Sequence, residues 1–494
     1  MREIGLKRFE PGAGGGRGGH GGGAEQGNQN HEGPEYRDPG LRTAFLGHSA
    51  LECSTMGKVV KLEPNLKKGG SKAKARHQRT VAPRGVGRPE AFDRRGRPRR
   101  DKTALVLGGG GFTGGVYEIG ALRALDLLAV NSTVNNFDVY VGTSAGSFIA
   151  SLCANGVTPE EMMRVVTRKG KPPFKDINIG DLLRPNLLEF AMKGATVPLK
   201  AVSALRQFAG TRGGVSAMDL ALGLADVLPS GLYTGAGIEK YLREVLNEPG
   251  RTDDFRELDC ELYLTATDLD TCERVVFGVE GMDEVPISTA VRASGALPMV
   301  YAPVEVDGRE LIDGGIVSTT NLDLAVQAGC KLVIVINPIV PFVNDFASTI
   351  KTLRGARARR VSDMGFAQIG YQVFKLVAHQ RLHELAKGWE ARYPGVDIVL
   401  IEPEPTDELM FQTSMMSFTS RVEIARHGFE SVTRQLAGEY DRYAAIAERH
   451  GLDISGKRVR QVVAHFDKET EEVSAWRKIL EGTTGALLRQ AGSG

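Results

Sequence analysis

Residues 137–155, FDVYVGTSAGSFIASLCAN, contain the pattern that decides the fold. A short apolar run leads into GTSAG, and a helix-patterned segment follows at once. G-x-S-x-G between a strand and a helix is typical of a nucleophile elbow, a tight turn that exposes a serine hydroxyl. Gly142 and Gly146 suit this turn because larger side chains would collide with the neighbouring backbone. Ser144 is therefore predicted to be a nucleophile, next to a helix N-terminus that favours developing negative charge.

Short apolar runs alternate with helical patterns from residue 104 onward. The runs are ALVL (104–107), FDVYVG (137–142), ELYLTATDL (261–269), LVIVINP (332–338) and DIVLIEP (397–403). Helices are expected at 115–129, 144–155, 236–247 and 286–295. Runs rich in Val, Ile and Leu that are separated by helices imply a mainly parallel sheet covered on both faces. The chain is thus predicted to be an α/β protein with three α/β/α layers.

Four consecutive glycines follow the first predicted strand, in LVLGGGGFTGGVYEIGAL (105–122). Gly109, Gly111 and Gly114 match the G-x-G-x-x-G of dinucleotide-binding folds. The same N–H groups would equally stabilise the oxyanion of an ester under attack. A dinucleotide fold places an acidic residue at the tip of its second strand, and here the serine turn occupies that place. The loop Gly109–Gly110–Gly111 is predicted to be an oxyanion hole, and nucleotide binding is the minor alternative.

A serine nucleophile needs a base, and the leading candidate is Asp313, in VDGRELIDGGIVSTTNLDLA. Gly314 and Gly315 predict a tight turn after a short strand, which holds the carboxylate at the sheet edge and clears space beside it. In a partly dry cleft the pKa of an aspartate rises, so that its carboxylate can accept the serine proton directly. The alternative bases are three late histidines in helical segments: His379, His383 and His427.

The motifs GGGG, GTSAG and DGG, in this order, make the chain resemble the patatin-like phospholipases. AVRASGALPMVYAPVEVDGRELIDGG (290–315) is also similar to the family segment that precedes its catalytic aspartate. The resemblance covers residues 102–345 well and extends loosely to about 440. It implies a lipid acyl hydrolase with a patatin-like fold, a Ser144–Asp313 dyad, no metal and no cofactor.

One position departs from the family pattern. Thr113 stands where the family usually has an arginine or lysine after the glycines. This departure, together with a basic arm before residue 102, keeps a third hypothesis open. In that hypothesis the chain is a catalytically weak or inactive relative that binds lipid or serves as a scaffold.

Composition divides the chain into three predicted regions. Residues 1–101 are expected to be a disordered Gly-rich segment followed by a basic arm. Residues 102–450 are expected to form the hydrolase domain, with a helical insertion or lid at 170–230. Residues 451–494 are expected to be a helical tail.

Two segments are candidates for membrane or acyl-chain contact. Between Lys58 and Lys102 there are sixteen Lys or Arg against four Asp or Glu, so this arm is either a solvated linker or a contact for anionic lipid head groups or nucleic acid. The predicted insertion carries apolar residues at helical spacing, which indicate a lid or, more simply, ordinary core packing. These residues are Leu182, Leu183, Leu187, Phe190 and Met192.

The overall composition bounds the function class. A net charge of +2 over 494 residues gives no bias toward nucleic acid. Five scattered cysteines without paired spacing indicate free thiols in a reducing compartment, and no structural zinc site is expected. No secretory leader or long apolar run is apparent. We therefore expect a cytoplasmic enzyme that contacts membranes peripherally and acts on phospholipids or other lipid acyl esters.

Overall fold

The computed structural model describes residues 101–168, 229–344, 360–413 and 418–468, together with 174, 180, 183–187, 189, 191–192, 350–351 and 357–358. The predicted N-terminal arm, most of the predicted insertion at 170–230 and the tail beyond residue 468 lie outside the described residues. The three-region division of the chain therefore stays a prediction.

Strands and helices alternate along the described chain. The strands are β1 (Thr103–Leu107), β2 (Val139–Thr143), β3 (Gly231–Tyr233), β4 (Glu261–Asp268), β5 (Arg274–Phe277), β6 (Met299–Tyr301), β7 (Val304–Val306), β8 (Arg309–Asp313), β9 (Leu332–Ile336), β10 (Ile350–Lys351), β11 (Arg357–Ala358) and β12 (Asp397–Ile401). The helices are α1 (Gly111–Leu128), α2 (Ala145–Ala154), α3 (Pro159–Thr167), α4 (Ala236–Leu246), α5 (Ile287–Ser294), α6 (Asp323–Gln327), α7 (Phe366–Ala386), α8 (Trp389–Arg392), α9 (Glu408–Gln412), α10 (Arg421–Gly438), α11 (Tyr440–Arg449) and α12 (456–468).

One mixed sheet of eight strands organises the fold. Its order is β12-β9-β1-β2-β4-β8-β7, with β5 paired to β4 outside this path. The strands β12, β9, β1, β2 and β4 are parallel to one another, whereas β5, β8 and β7 add antiparallel pairs. The carboxyl ends of β1 and β2, which lead into the glycine loop and the serine turn, therefore lie at the same edge of the sheet.

Strand β1 shows how the three layers form. Successive strand side chains point to opposite faces, and all of β1 is buried. Leu105 and Leu107 belong to the larger core, which packs beneath α1, α2, α3 and α10. Ala104 and Val106 belong to the smaller core, which packs beneath α6 and α8. The predicted three-layer α/β/α class with a mainly parallel sheet is confirmed.

Helix α1, which carries the glycine loop at its start, is held against α10 by a close backbone contact. A Cβ at Gly120 would lie 2.1 Å from the Ala425 carbonyl oxygen, and a Cβ at Gly428 would lie 2.4 Å from the Tyr117 carbonyl oxygen. Only glycine fits at either position, because real Cβ atoms do not approach backbone oxygens this closely. This contact fixes α1, and with it the glycine loop, relative to the rest of the larger core.

The five predicted strands and four predicted helices are present, with small differences in their ends. The largest difference is in α1, which begins at Gly111 rather than at residue 115. Among the glycines of this segment only Gly110 and Gly111 have positive φ angles, of 138° and 63°. The turn is therefore shorter than the run of glycines, and Gly114 and Gly115 lie inside the helix.

Two further observations bear on the sequence-based expectations. Within the described ranges no helix is both long and apolar enough to cross a membrane. The four cysteines in those ranges, Cys153, Cys260, Cys272 and Cys330, are free, whereas Cys53 lies outside them.

Candidate active site

Two strands end against each other on one edge of β4. Strand β2 runs parallel to the first half of β4, with Thr143 opposite Thr265. Strand β8 runs antiparallel to the second half, with Asp313 opposite Ala266. Strand β5 overlaps both registers and so occupies the other edge of β4. Because β2 and β8 approach from opposite directions along the same edge, the residue after Thr143, Ser144, meets Asp313.

The serine and the aspartate are in direct contact. Ser144 Oγ donates a hydrogen bond to Asp313 Oδ2 at 2.5 Å, and the Gly315 N–H donates to Asp313 Oδ1 at 2.7 Å. Asp313 is 3% exposed and Ser144 is 9% exposed. Burial raises the pKa of Asp313 to about 6, although the hydrogen bonds from Ser144 and Gly315 act in the opposite direction. A carboxylate with a pKa near neutrality and in contact with a hydroxyl is suited to act as a general base.

The turn that presents Ser144 is tight and strained. Ser144 has a φ of 56° and a ψ of −127°, a conformation that costs free energy and is concentrated at functional sites. A Cβ at Gly142 would lie 2.5 Å from Ser147 Cα, and a Cβ at Gly146 would lie 2.3 Å from the Gly108 carbonyl oxygen. Glycine is therefore required at both positions, for the steric reason that the sequence analysis gave.

The aspartate turn also depends on a glycine and on a residue that the sequence analysis did not single out. A Cβ at Gly314 would lie 2.3 Å from the Thr265 carbonyl oxygen. Beneath it, Asn321 Nδ2 donates to Thr143 Oγ1 at 2.9 Å and to Thr265 Oγ1 at 3.0 Å. Asn321 thus ties the end of β2 to the middle of β4. No local sequence signal indicates this role, because its partners Thr143 and Thr265 are far away in the chain.

The glycine loop offers unused hydrogen-bond donors next to the serine. Among the described groups, none accepts a hydrogen bond from the N–H of Gly109, Gly110 or Gly111. A Cβ at Gly109 would lie 3.1 Å from Ser144 Cβ and 3.6 Å from Ser144 Oγ. The N–H of Ser144 itself is occupied, since it donates to Ser294 Oγ at 2.8 Å. The glycine loop therefore offers N–H donors beside Ser144 that no described group occupies.

A mostly apolar cavity of about 160 Å³ begins at the dyad and the glycine loop. The dyad and the three loop glycines form part of its wall. The apolar part of the wall comes from three successive helices, with Val116 and Ile119 from α1, Phe148, Ile149 and Leu152 from α2, and Met162, Val165 and Val166 from α3. An apolar cavity beside a nucleophile is suited to a hydrocarbon chain attached to the reacting carbonyl group.

The late histidines lie elsewhere in the structure. His383 Nε2 lies 2.7 Å from Glu402 Oε2, the His379 ring lies beside the His383 ring, and His427 Nε2 lies 2.5 Å from Asp407 Oδ2. No hydrogen bond joins any of the three to Ser144. The arrangement therefore brings Ser144 together with the aspartate rather than with a histidine.

The predicted lid residues lie only partly within the described residues. Leu187 and Met192 are exposed, and Leu183 is half-buried. Leu182 and Phe190 lie outside the described residues. The prediction of a lid therefore stays a prediction.

Comparison with known proteins identifies the domain. Residues 105–326 match the family model of patatin-like phospholipases. A probable lipid hydrolase of Invertebrate iridescent virus 6 is 26% identical to the chain over 248 residues, which are 49% of this chain and 68% of the viral protein. Residues 105–326 are thus similar to the patatin-like phospholipases, as the motifs predicted.

Solved structures with detectable similarity cover most of the chain, at low TM-scores. VipD from Legionella pneumophila gives a TM-score of 0.30 at 16% identity, over 70% of this chain and 69% of VipD. Human GIVD cytosolic phospholipase A2 gives 0.28 at 10% identity, over 74% and 60% of the two chains. ExoU of Pseudomonas aeruginosa, solved with SpcU, gives 0.26 at 15% identity, over 76% and 62%.

Proposed function

We propose that the patatin-like domain is a serine acyl hydrolase that cleaves lipid acyl esters, with Ser144 as the nucleophile and Asp313 as the base. The observation that carries this proposal is the 2.5 Å hydrogen bond from Ser144 Oγ to Asp313 Oδ2. Two further observations support it: the free N–H groups of the glycine loop, and the apolar cavity that Ser144 lines together with this loop. The domain family supports the choice of a lipid substrate.

In the acylation half of the reaction, Ser144 Oγ attacks the carbonyl carbon of the ester while Asp313 Oδ2 accepts its proton. The oxyanion that forms would accept hydrogen bonds from the N–H groups of Gly109, Gly110 and Gly111, which have no other acceptor among the described groups. When the ester C–O bond breaks, the proton on Asp313 passes to the departing alcohol oxygen. The acyl group is then bonded to Ser144.

In the deacylation half, water takes the place of the departed alcohol. Asp313 accepts a proton from this water as its oxygen attacks the acyl-enzyme carbonyl carbon. The second oxyanion occupies the same glycine N–H groups. As the bond between Ser144 Oγ and the acyl carbon breaks, the proton on Asp313 returns to Ser144 Oγ, which releases a fatty acid and restores the enzyme.

The cavity and the basic arm suggest where the enzyme works. The apolar walls from α1, α2 and α3 would hold the acyl chain, so that the ester carbonyl lies between Ser144 and the glycine loop. A water-insoluble substrate requires contact with a lipid surface, and the basic segment from Lys58 to Lys102 would bind anionic head groups there. We accordingly propose a cytoplasmic enzyme that associates peripherally with anionic membrane.

The direct test compares the Ser144→Ala and Asp313→Asn variants with the wild type on a short p-nitrophenyl ester and on phospholipid vesicles. Each variant should lose about 10³-fold or more in kcat/KM, as loss of a nucleophile or its base does in serine hydrolases. Ser151→Ala is a matched control, because Ser151 is buried in α2, the helix that follows Ser144, and its hydroxyl donates only to the Phe148 carbonyl oxygen. Turnover by Ser144→Ala at the wild-type rate would remove the nucleophile assignment.

The same assays separate the alternatives. A conventional serine–histidine enzyme would lose its activity in His379→Ala, His383→Ala or His427→Ala and would keep slow activity in Asp313→Asn. A non-catalytic lipid-binding relative would bind anionic vesicles but hydrolyse neither substrate. Binding of NAD in a titration would favour the dinucleotide interpretation of the glycine loop.

A further inference from the structure

Away from the serine, helix α7 presents two histidines to a glutamate that follows β12. His379 and His383 are four residues apart and so lie on one face of the helix, with their ring centroids 4.0 Å apart. Glu402 Oε2 lies 2.7 Å from His383 Nε2 and 4.0 Å from His379 Nε2. The three potential ligand atoms all lie within 4.8 Å of one another.

We propose that His379, His383 and Glu402 form a binding site for a divalent transition metal of the zinc type. Two imidazole nitrogens and one carboxylate oxygen are a donor set that zinc accepts, with a fourth position left for water. Zinc bonds of about 2.0–2.1 Å place tetrahedral ligand atoms about 3.3 Å apart. The present separations bracket this value, so small side-chain rotations bring all three atoms onto one ion.

The surroundings of the glutamate support this assignment. Asn337 Nδ2 donates to Glu402 Oε1 at 2.7 Å, which fixes the carboxylate and directs Oε2 toward the two histidines. Hydrogen-bonded carboxylates of this kind are usual around metal ligands. The His383 side chain is 43% exposed, so an ion can enter from solvent without opening the fold.

A simple His383–Glu402 hydrogen bond does not account for the whole cluster. Within the described part of the chain His379 has no hydrogen bond of its own, yet its side chain is only 21% exposed. A half-buried imidazole that lies against another histidine and close to the same carboxylate oxygen gains a partner when an ion occupies the site. The metal therefore explains the position of His379, which the hydrogen bond leaves unexplained.

The site connects α7 to the catalytic region through short contacts. Phe374, five residues before His379 on α7, forms part of the wall of the catalytic cavity. On the other side, Asn337 Oδ1 lies 3.2 Å from where a Cβ of Gly108 would be. A bound ion would hold α7 to the sheet edge and so steady the cavity wall. The site itself does not depend on the proposed hydrolysis.

The test uses the full chain, stripped of metal with a chelator and then titrated with Zn²⁺ by calorimetry and with Co²⁺ by visible absorption. The wild type should bind one equivalent that gives the intense spectrum of tetrahedral cobalt. The variants His379→Ala and Glu402→Gln should lose this spectrum and bind zinc at this site at least about 100-fold more weakly. His465→Ala is the matched control, because His465 is exposed and far along the chain from the cluster; it should bind as the wild type does.

Circular dichroism melts check that each variant is folded. If His379→Ala does not fold, Glu402→Gln still tests the site, because glutamine has nearly the same shape as glutamate. No tetrahedral cobalt spectrum in the wild type would overturn the proposal. Zinc binding of unchanged stoichiometry and affinity in folded Glu402→Gln would overturn it equally. Since the readout is metal binding, its failure would leave the proposed hydrolase activity untouched.

Discussion

Ser144 Oγ and Asp313 Oδ2 lie 2.5 Å apart although the two residues are separated by 169 positions in the chain. They meet because β2 and β8 end against each other on one edge of β4. Asp313 is the last residue of β8 and Ser144 directly follows the last residue of β2, so each side chain is held at the end of a strand that pairs with β4. A nucleophile and a base held in this way need little reorganisation before they react.

The pKa of Asp313 predicts how activity depends on pH. Burial raises this pKa to about 6, and only the ionised carboxylate can accept the serine proton. The kcat/KM for a p-nitrophenyl ester should therefore be low at pH 5, rise through about pH 6 and level off above pH 7. A pH profile of kcat/KM, recorded at constant ionic strength and corrected for spontaneous hydrolysis, measures this dependence. A flat profile between pH 5 and pH 7 would contradict the assigned base.

The glycine loop should tolerate no side chain at Gly110. Its φ of 138° is outside the range of L-residues, and a Cβ there would lie 2.9 Å from Gly114 Cα. Gly110→Ala should displace the N–H donors and lower kcat by about 10²–10³-fold, as loss of an oxyanion donor does. Gly438→Ala is the control, because a Cβ at Gly438 meets nothing within 4 Å. Equal kcat values for Gly110→Ala and the wild type would exclude the loop from the oxyanion hole.

The apolar cavity should set the length of the acyl chain. Leu152 in α2 is 2% exposed and forms part of the cavity wall. Leu152→Phe adds volume inside the cavity and should lower kcat/KM for long-chain esters by about tenfold or more while sparing short-chain esters. Leu152→Met, which conserves volume, should retain the wild-type chain-length profile. If Leu152→Phe lowers kcat/KM equally for all chain lengths, the cavity does not hold the acyl chain.

Glu118 in α1 should destabilise the fold as the pH rises. It is fully buried, and neither carboxyl oxygen has a hydrogen-bond partner among the described residues. Burial raises the pKa of Glu118 well above 4.5, and the Gly108 N–H, which acts against this shift, donates its own hydrogen bond to the Ile336 carbonyl oxygen. Folding therefore requires a protonated carboxyl group, and this requirement costs more free energy at each pH above the unfolded-state pKa.

The corresponding measurement is the free energy of unfolding in urea at pH 5 and pH 8. Glu118→Gln, which carries no proton to lose, should gain stability over the wild type by up to about 1.4 kcal/mol per pH unit above that unfolded-state value. The exposed Glu280 supplies the control variant, Glu280→Gln. A difference between Glu118→Gln and the wild type that does not change with pH would show that Glu118 is ionised in the fold.

The parts of the site that sequence analysis predicted are those with local signals. The serine turn is encoded by small residues within a few positions of Ser144, where the backbone leaves no room for a Cβ. The parallel strands are short runs of branched apolar residues, and such runs can be recognised without knowing which strands pair with them. The structure adds the hydrogen bond that joins the two predicted catalytic residues.

The parts that the sequence did not reveal depend on contacts between distant residues. Nothing near Ser294 indicates that its hydroxyl accepts the Ser144 N–H, and nothing near Asn321 indicates that it bridges Thr143 and Thr265. His379 and His383 are four residues apart in the sequence, but Glu402 lies on a different element and completes the cluster only in the fold. Such contacts are set by how the elements pack, which local patterns do not encode.

The most direct measurement of the central claim is covalent labelling with a fluorophosphonate, which reacts only with an activated serine. Peptide mass spectrometry of the labelled wild type should locate one adduct, on Ser144, while Ser144→Ala stays unmodified and Asp313→Asn reacts far more slowly. His427→Ala should label at the wild-type rate. An adduct on another serine, or no adduct on the folded wild type, would contradict the account.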